Sequence, residues 1–423
     1  MDLNEVILIK GSDAPDMLKS AFSQLNEPDL LENKNIVLKP NFACWDARLP
    51  REVNEWVVTE PQFVADTIKF LKKFNPSSIS VAESAFFGNN IKKIFKDIKL
   101  KKIINDPDVK IIALEDHPYE FIKFFDRKIG ISKYILNAEV LINMPMLKTH
   151  GETTVSLGMK NLKGTLHADS KKSFHRFGLE KSIAELSKIL LNYNKPTLTL
   201  VDGSVGLEGI GPIQSGKPKE VGCIVLGKNT VTVDAVCSEI MGIGPQNVEH
   251  IRLGEEIGAG IADISKINVI GDKIDDVKVN FEIPPPDEEI FAAAMDLLEI
   301  PSDQLTGHPG DVCSSCMLNY LGPVWALRDD AGKKYKQKIF LLSGKAELPE
   351  KYEGQLVLWG NCQRKNLKDG GKDAIFVKGC PPSILKGYMS LGKAMYSKRS
   401  FYWGLIKRLF KGMNKIGKMS HWP

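Results

Sequence analysis

Val140-Leu141-Ile142-Asn143-Met144-Pro145-Met146-Leu147-Lys148-Thr149-His150 decides the fold of the larger part of this chain. Its first three residues are aliphatic without a polar break. A strand with one wet face alternates apolar and polar residues, so this run reads as a strand buried on both sides. That is the pattern of a parallel sheet covered by helices. Polar and charged residues then gather where the strand ends.

Seven other runs repeat the pattern, at 6–9, 35–38, 78–82, 109–114, 197–201, 221–226 and 267–270. Helical spacing lies between them at 61–73, 180–191 and 231–241. Such alternation over residues 1–280 predicts an α/β domain, doubly wound around a mostly parallel sheet. In sheets of this kind the loops at the carboxyl ends of the strands converge on one crevice.

Those predicted ends are rich in chemistry. Lys39-Pro40-Asn41 follows 35–38, and Glu83-Ser84 follows 78–82. Lys148, Thr149 and His150 follow 140–143, and Asp202 follows 197–201, with Glu208 in the loop beyond. The segment 156–164, Ser-Leu-Gly-Met-Lys-Asn-Leu-Lys-Gly, offers backbone N–H groups and a lysine to an anion. Lysines at strand ends suit a carboxylate or phosphate, whereas histidines and carboxylates suit proton transfer. Lys39, Asn41, Lys148, Lys160 and Asn161 are therefore the expected substrate-binding residues. Glu83, His150, His175, Asp202 and Glu208 are the expected acids and bases. Any one of them is equally well read as a solvated loop residue or a helix cap; the gathering of the set favours function. No G-x-G-x-x-G follows a strand and no Walker loop is present, so the usual dinucleotide and P-loop sites have no support.

Beyond residue 280 the pattern changes. Pro284-Pro285-Pro286 marks a linker within 281–304 that also holds a short helix at 289–298. A smaller α/β unit is expected over 305–395, with strands at 339–343, 355–360 and 374–378. It carries Cys313 and Cys316 as C-x-x-C, then Cys362 and Cys380, each just after an apolar run. Four thiolates meeting in space suit a [4Fe–4S] cluster, and the same ligands suit zinc. Cys44, Cys223 and Cys237 show no pairing pattern. The chain opens on an acidic Met-Asp-Leu-Asn-Glu rather than a signal sequence, and a reducing cytoplasm favours metal ligation over disulfides.

The net charge of +5 is uneven. Ten Lys or Arg and no acidic residue lie in 374–423, leaving 47 basic against 52 acidic residues in the body. The body thus has no general surface for nucleic acid. The tail, 396–423, reads as a basic amphipathic helix at 401–419. Trp403, Ile406, Phe410 and Met413 fall on one face, suited to an anionic membrane surface, an acidic partner protein or the chain's own acidic body.

The stretches 38–41, 81–84, 143–150, 158–164, 201–212 and 221–234, with His175, together resemble the domain of unknown function 362 family. Its members are often described as iron–sulfur cluster-binding proteins. The resemblance covers roughly residues 35–240 and is most specific from Pro145 through Gly164. It implies an α/β fold and a redox setting. Members commonly gain clusters through an appended ferredoxin domain with compact cysteine runs, whereas the cysteines here are dispersed. The expected function is that of an iron–sulfur oxidoreductase acting on an anionic small molecule, served by an electron-donor protein in the cytoplasm of an anaerobic prokaryote. The alternatives are a cluster-free racemase, ligase or lyase with structural zinc, and an electron carrier or metallocentre assembly factor.

Overall fold

The computed structural model describes residues 1–45, 54–86, 89–193, 197–212, 216–297, 299–313, 316, 320, 322–324, 326–327 and 335–405. The chain divides into two units, Met1–Pro284 and Pro285–Pro423.

The first unit contains β1 (Glu5–Lys10), β2 (Asn35–Pro40), β3 (Ser78–Glu83), β4 (Lys110–Ala113), β5 (Tyr119–Phe124), β6 (Arg127–Ser132), β7 (Val140–Met144), β8 (Met146–His150), β9 (Thr154–Val155), β10 (Thr197–Gly209), β11 (Gly216–Gly227) and β12 (Asn268–Gly271). The main sheet runs in the order β12-β1-β11-β10-β7-β2-β3-β4, with β8 paired to β10. From β10 to β4 every neighbour is parallel; β11 alone runs against its neighbours β1 and β10.

Adjacent residues of these strands enter opposite cores, which is why the runs are apolar throughout. Val37, Leu141, Val201 and Val225 pack under the helices Leu179–Asn192 and Thr230–Ile240. Ile36, Leu38, Ile142 and Leu200 pack under Ala14–Leu25 and Pro61–Leu71 on the other face. Both helices of the second layer start with a proline in the first turn, where its missing N–H costs nothing. Asp13 caps the first of them and Asn229 caps Thr230–Ile240.

Two expectations change. Residues 202–209 form the second half of a 13-residue strand rather than a loop, and 146–150 form β8. Gly203 and Gly206 are small within this strand because neighbours press on them. A Cβ on Gly203 would lie 2.8 Å from the Cys223 carbonyl oxygen, and one on Gly206 would lie 2.5 Å from the Phe281 ring. The β5–β6 hairpin was not anticipated.

The second unit is built on a four-stranded parallel sheet, β13 (Leu305–Gly310), β14 (Ile339–Gly344), β15 (Gln355–Trp359) and β16 (Ile375–Val377), in sequence order. The helix Ile384–Met395 packs on one face of it through Tyr388, Leu391 and Met395. Of the expected tail helix, residues 401–405 are helical and 406–423 lie outside the described residues.

Gly203→Ala forces a Cβ against a backbone oxygen that cannot step aside. It should lower unfolding stability by about 1–3 kcal/mol in urea titration. Gly151→Ala, with no atom within 4 Å of its added carbon, should be neutral.

Candidate functional site

The chain reverses its direction of travel across the sheet at β2 and β7, with β3 and β4 added to one side and β10 to the other. Lys39 and Pro40 of β2 stand opposite Asn143 and Met144 of β7. The carboxyl ends at such a reversal are where open α/β sheets place ligands.

Lys39 is wholly buried there. Its ammonium donates to Glu83 Oε2 at 2.8 Å, to the Pro40 carbonyl at 3.1 Å and to Asn161 Oδ1 at 3.1 Å. Glu83 also accepts the N–H groups of Phe42 at 3.2 Å and Ser84 at 2.8 Å. Asn161 donates to the Lys39 carbonyl and to Asn143 Oδ1, and Asn143 donates to the Gly158 carbonyl. Burial pushes the Lys39 ammonium down and Glu83 holds it up. This network differs from the expectation: Lys39, Glu83 and Asn161 face one another and have no surface left for a substrate. They fix the segment 158–164 onto the strand ends. Gly164 is part of the fit, because a Cβ there would fall 2.4 Å from Glu83 Oε1.

Asp234 holds the same segment from the other side. It is fully buried in the helix Thr230–Ile240 and accepts the N–H groups of Gly158 at 2.8 Å and Met159 at 2.7 Å. Burial raises its carboxyl to about 7, against the pull of those two donors. The sequence signal was a carboxylate inside the mostly apolar run 231–237.

With 158–164 clamped, a second and more open group of side chains assembles. Lys148 is buried in the middle of β8, donating to Asn41 Oδ1 at 3.3 Å and to the Val57 carbonyl. Neither acceptor is charged. Burial pushes its ammonium down to about 7, with Cys44 and Asp202 pulling the other way. Asp202 is itself buried, is raised by that burial and accepts from Ser204 Oγ at 2.6 Å. His150 closes β8, and its Nδ1 accepts the Glu152 N–H at 2.9 Å. Burial, and then Lys160, hold its ring well below the usual imidazole range.

Glu152 lies 3.4 Å from His175 Nδ1. Burial would raise its carboxyl, but His175 and His150 outweigh that and hold it low. Lys160, half-buried, is pushed down to about 7 by burial while Glu152 pulls it up. Glu152, Glu180, Lys171 and His250 were not anticipated, since nothing in their spacing marks them. Lys171 donates to the Ala85 carbonyl at 3.0 Å and to Ser84 Oγ. Glu208 is engaged elsewhere, accepting the Glu282 N–H at 2.9 Å and pairing with Lys219 at 3.3 Å.

In the second unit the four expected cysteines come to the carboxyl ends of its parallel strands. Asn361 N donates to the Gly379 carbonyl at 2.7 Å, and Gly379 N donates back to Asn361 Oδ1. These bonds hold the Cys362 and Cys380 loops together. The buried Cys316 thiol is hydrogen-bonded to Cys313, which raises its pKa, and Cys380 and Cys362 raise it further. Gly360, at φ +89°, leaves room beside it: a Cβ there would lie 3.5 Å from Cys316 Sγ. None of the seven cysteines is joined in a disulfide among the described residues. Among the described residues, no three or more His, Cys, Asp or Glu stand at the spacing of ligands to a metal ion.

Fold and side chains define an α/β domain with a cation-rich cluster at a topological switch point. Residues 36–239 match the domain of unknown function 362. The thylakoid-associated protein sll1697 of Synechocystis (strain ATCC 27184 / PCC 6803 / Kazusa) is 26% identical over 231 residues, 53% of this chain and 68% of its own. Two solved structures are similar at 13% identity. A Thermotoga maritima protein has a TM-score of 0.36, over 79% of this chain and 72% of its own. The lactate racemase apoprotein from Thermoanaerobacterium thermosaccharolyticum has 0.35, over 95% and 80%.

Two outcomes follow from these geometries. Lys39→Met leaves the Glu83 carboxylate buried without its cation and should cost about 3–5 kcal/mol in urea titration. Lys39→Met/Glu83→Gln should recover part of that loss. Lys148 titrates near 7 when folded and near 10.4 when unfolded. Between those values the unfolded chain binds more protons. The contribution of Lys148 to stability is thus fully present above about 10.4 and is lost as pH falls through 7. Lys148→Met should flatten the pH 7.5–9.5 slope of the unfolding free energy by up to about 1.4 kcal/mol per pH unit. An unchanged slope would contradict a depressed ammonium.

Proposed function

We propose that this chain is an iron–sulfur enzyme of the oxidoreductase type whose domain of unknown function 362 takes a small anion at the switch point. The observation that carries the reading is the pair of lysines beside His150. Among the described residues Lys148 donates only to neutral oxygens. Lys160 forms no hydrogen bond or ion pair among the described residues. Cations held off water in this way are an electrostatic vacancy that a carboxylate or phosphate would fill. His150, neutral by its depressed pKa, carries its proton on Nε2 because Nδ1 accepts from Glu152. It can donate that proton to an anion, and the Glu152–His175 pair lies within reach to exchange one.

The thiols of Cys313, Cys316, Cys362 and Cys380 support the redox half of the reading. Their donor set is all sulfur, two of the four are exposed and no disulfide consumes them. A zinc ion would need all four sulfurs about 2.3 Å from one point. The thiols of Cys313, Cys362 and Cys380 act on Cys316, and a donor set of sulfur alone is the one that iron–sulfur clusters take. When bound, such a cluster supplies one-electron transfer.

No helix among the described residues is long and apolar enough to cross a membrane. The thylakoid-associated relative and the basic residues of 398–418 support a cytoplasmic protein that rests on an anionic membrane surface.

Anaerobic isolation tests the redox half. The protein should be brown, with iron and sulfide in equal amounts, and Cys316→Ser should lose both while unit 1 keeps its fold by circular dichroism. A colourless protein with zinc on the same cysteines would overturn it.

A further inference from the structure

Glu180 and His250 are a buried polar pair that the crevice, as described so far, leaves without a task. His250 lies on the helix Glu249–Glu256 and is wholly buried. Its Nδ1 is 2.6 Å from Glu180 Oε2 on the helix Leu179–Asn192. A carboxylate only accepts, so Nδ1 carries the proton. The other ring nitrogen, Nε2, is buried and has no hydrogen-bond partner among the described residues. In the neutral ring it is a bare lone pair, an acceptor with nothing to accept. Such a group is costly to bury and calls for an explanation.

Its position supplies one. Gly254 follows His250 by one helical turn, on the same face, and a Cβ there would touch the Met159 methyl at 3.0 Å. His250 is therefore carried toward the clamped segment that bears Lys160. It acts electrostatically on His150, and Glu180 acts on Lys160. Three different functions then sit in one neighbourhood: the Lys160 cation, the His150 Nε2–H donor and the His250 Nε2 acceptor.

We infer that His250, oriented by Glu180, is a specificity residue that makes this site select anions carrying their own hydrogen-bond donor. The inference rests on the anion-binding reading above. Lys160 and His150 recognise the negative charge and would take any small anion. His250 Nε2 faces a fully ionised oxyanion with a lone pair and repels it, but it accepts a hydrogen bond from an anion that has an O–H. Hydrogen phosphate has one and sulfate has none. Glycolate has one beside its carboxylate and acetate has none. Phosphoryl and hydroxycarboxylate ligands share this chemistry, and the two probe pairs separate them.

The test is calorimetric titration of the full anaerobic protein with all four anions at pH 7. Hydrogen phosphate should bind about tenfold or more tightly than sulfate, or glycolate than acetate, the difference expected when one buried polar atom stays unpaired. Whichever pair is discriminated identifies the ligand class. His250→Phe should abolish the discrimination while leaving binding of the donor-free anion. Because that variant risks its fold, a second readout uses wild-type protein. The 15N resonance of His250 Nε2 should shift when the preferred anion is added. Equal binding within both pairs, or an unmoved resonance under saturating anion, would overturn the role of His250 and leave the anion site standing. Failure of all four anions to bind would overturn both.

Discussion

The buried ion pair between Lys39 and Glu83 is the contact on which the rest of this unit depends. Both side chains are removed from water at the point where the sheet reverses direction. That is expensive unless each charge is paired and each remaining donor or acceptor is met. Here they are met: Pro40 and Asn161 take the remaining Lys39 protons, while the backbone of Phe42 and Ser84 supplies Glu83. The network ties β2, β3 and β7 to the segment 158–164, which has no long helix or strand of its own. Asp234 secures the other side of that segment through Gly158 and Met159. Lys160 sits between these clamps, so its place beside His150 is set by groups that never touch a ligand.

The same rule of topology operates twice. In each unit parallel strands deliver reactive side chains from their carboxyl ends. In the first unit these are Lys148 and His150; in the second they are the thiols following β13, β15 and β16. The chemistry differs because the donors differ. Nitrogen bases and ammonium groups in the first suit anions and protons, and an all-thiol set in the second suits soft metals.

Much of the fold was legible because doubly buried strands write a continuous apolar run. The eight expected strands of the first unit all form: six run longer than expected, 109–114 is trimmed to Lys110–Ala113, and 267–270 shifts to Asn268–Gly271. The three expected in the second unit form as well. The loop expected around Glu208 is strand instead: β10 runs on to Gly209, with Gly203 and Gly206 packed against Cys223, Leu147 and Phe281. Within the site, residue type was legible and role was not. Lys39 and Glu83 stood at strand ends as expected, but only the folded chain shows that they are occupied with each other. Glu180 and His250 lie 70 residues apart and meet solely through packing of two helices. Glu208 looked equivalent to Asp202 until the strand carried it past the crevice to Lys219.

The central claim is that the clamped segment builds an anion site between Lys160, His150 and His250. Anomalous diffraction from a crystal soaked in arsenate, which bears a proton as phosphate does and scatters at its own absorption edge, addresses that claim most directly. The account expects one strong arsenic peak within hydrogen-bonding distance of Lys160 Nζ and His250 Nε2. Arsenic bound only at surface lysines, with this cluster empty at saturating concentration, would contradict it.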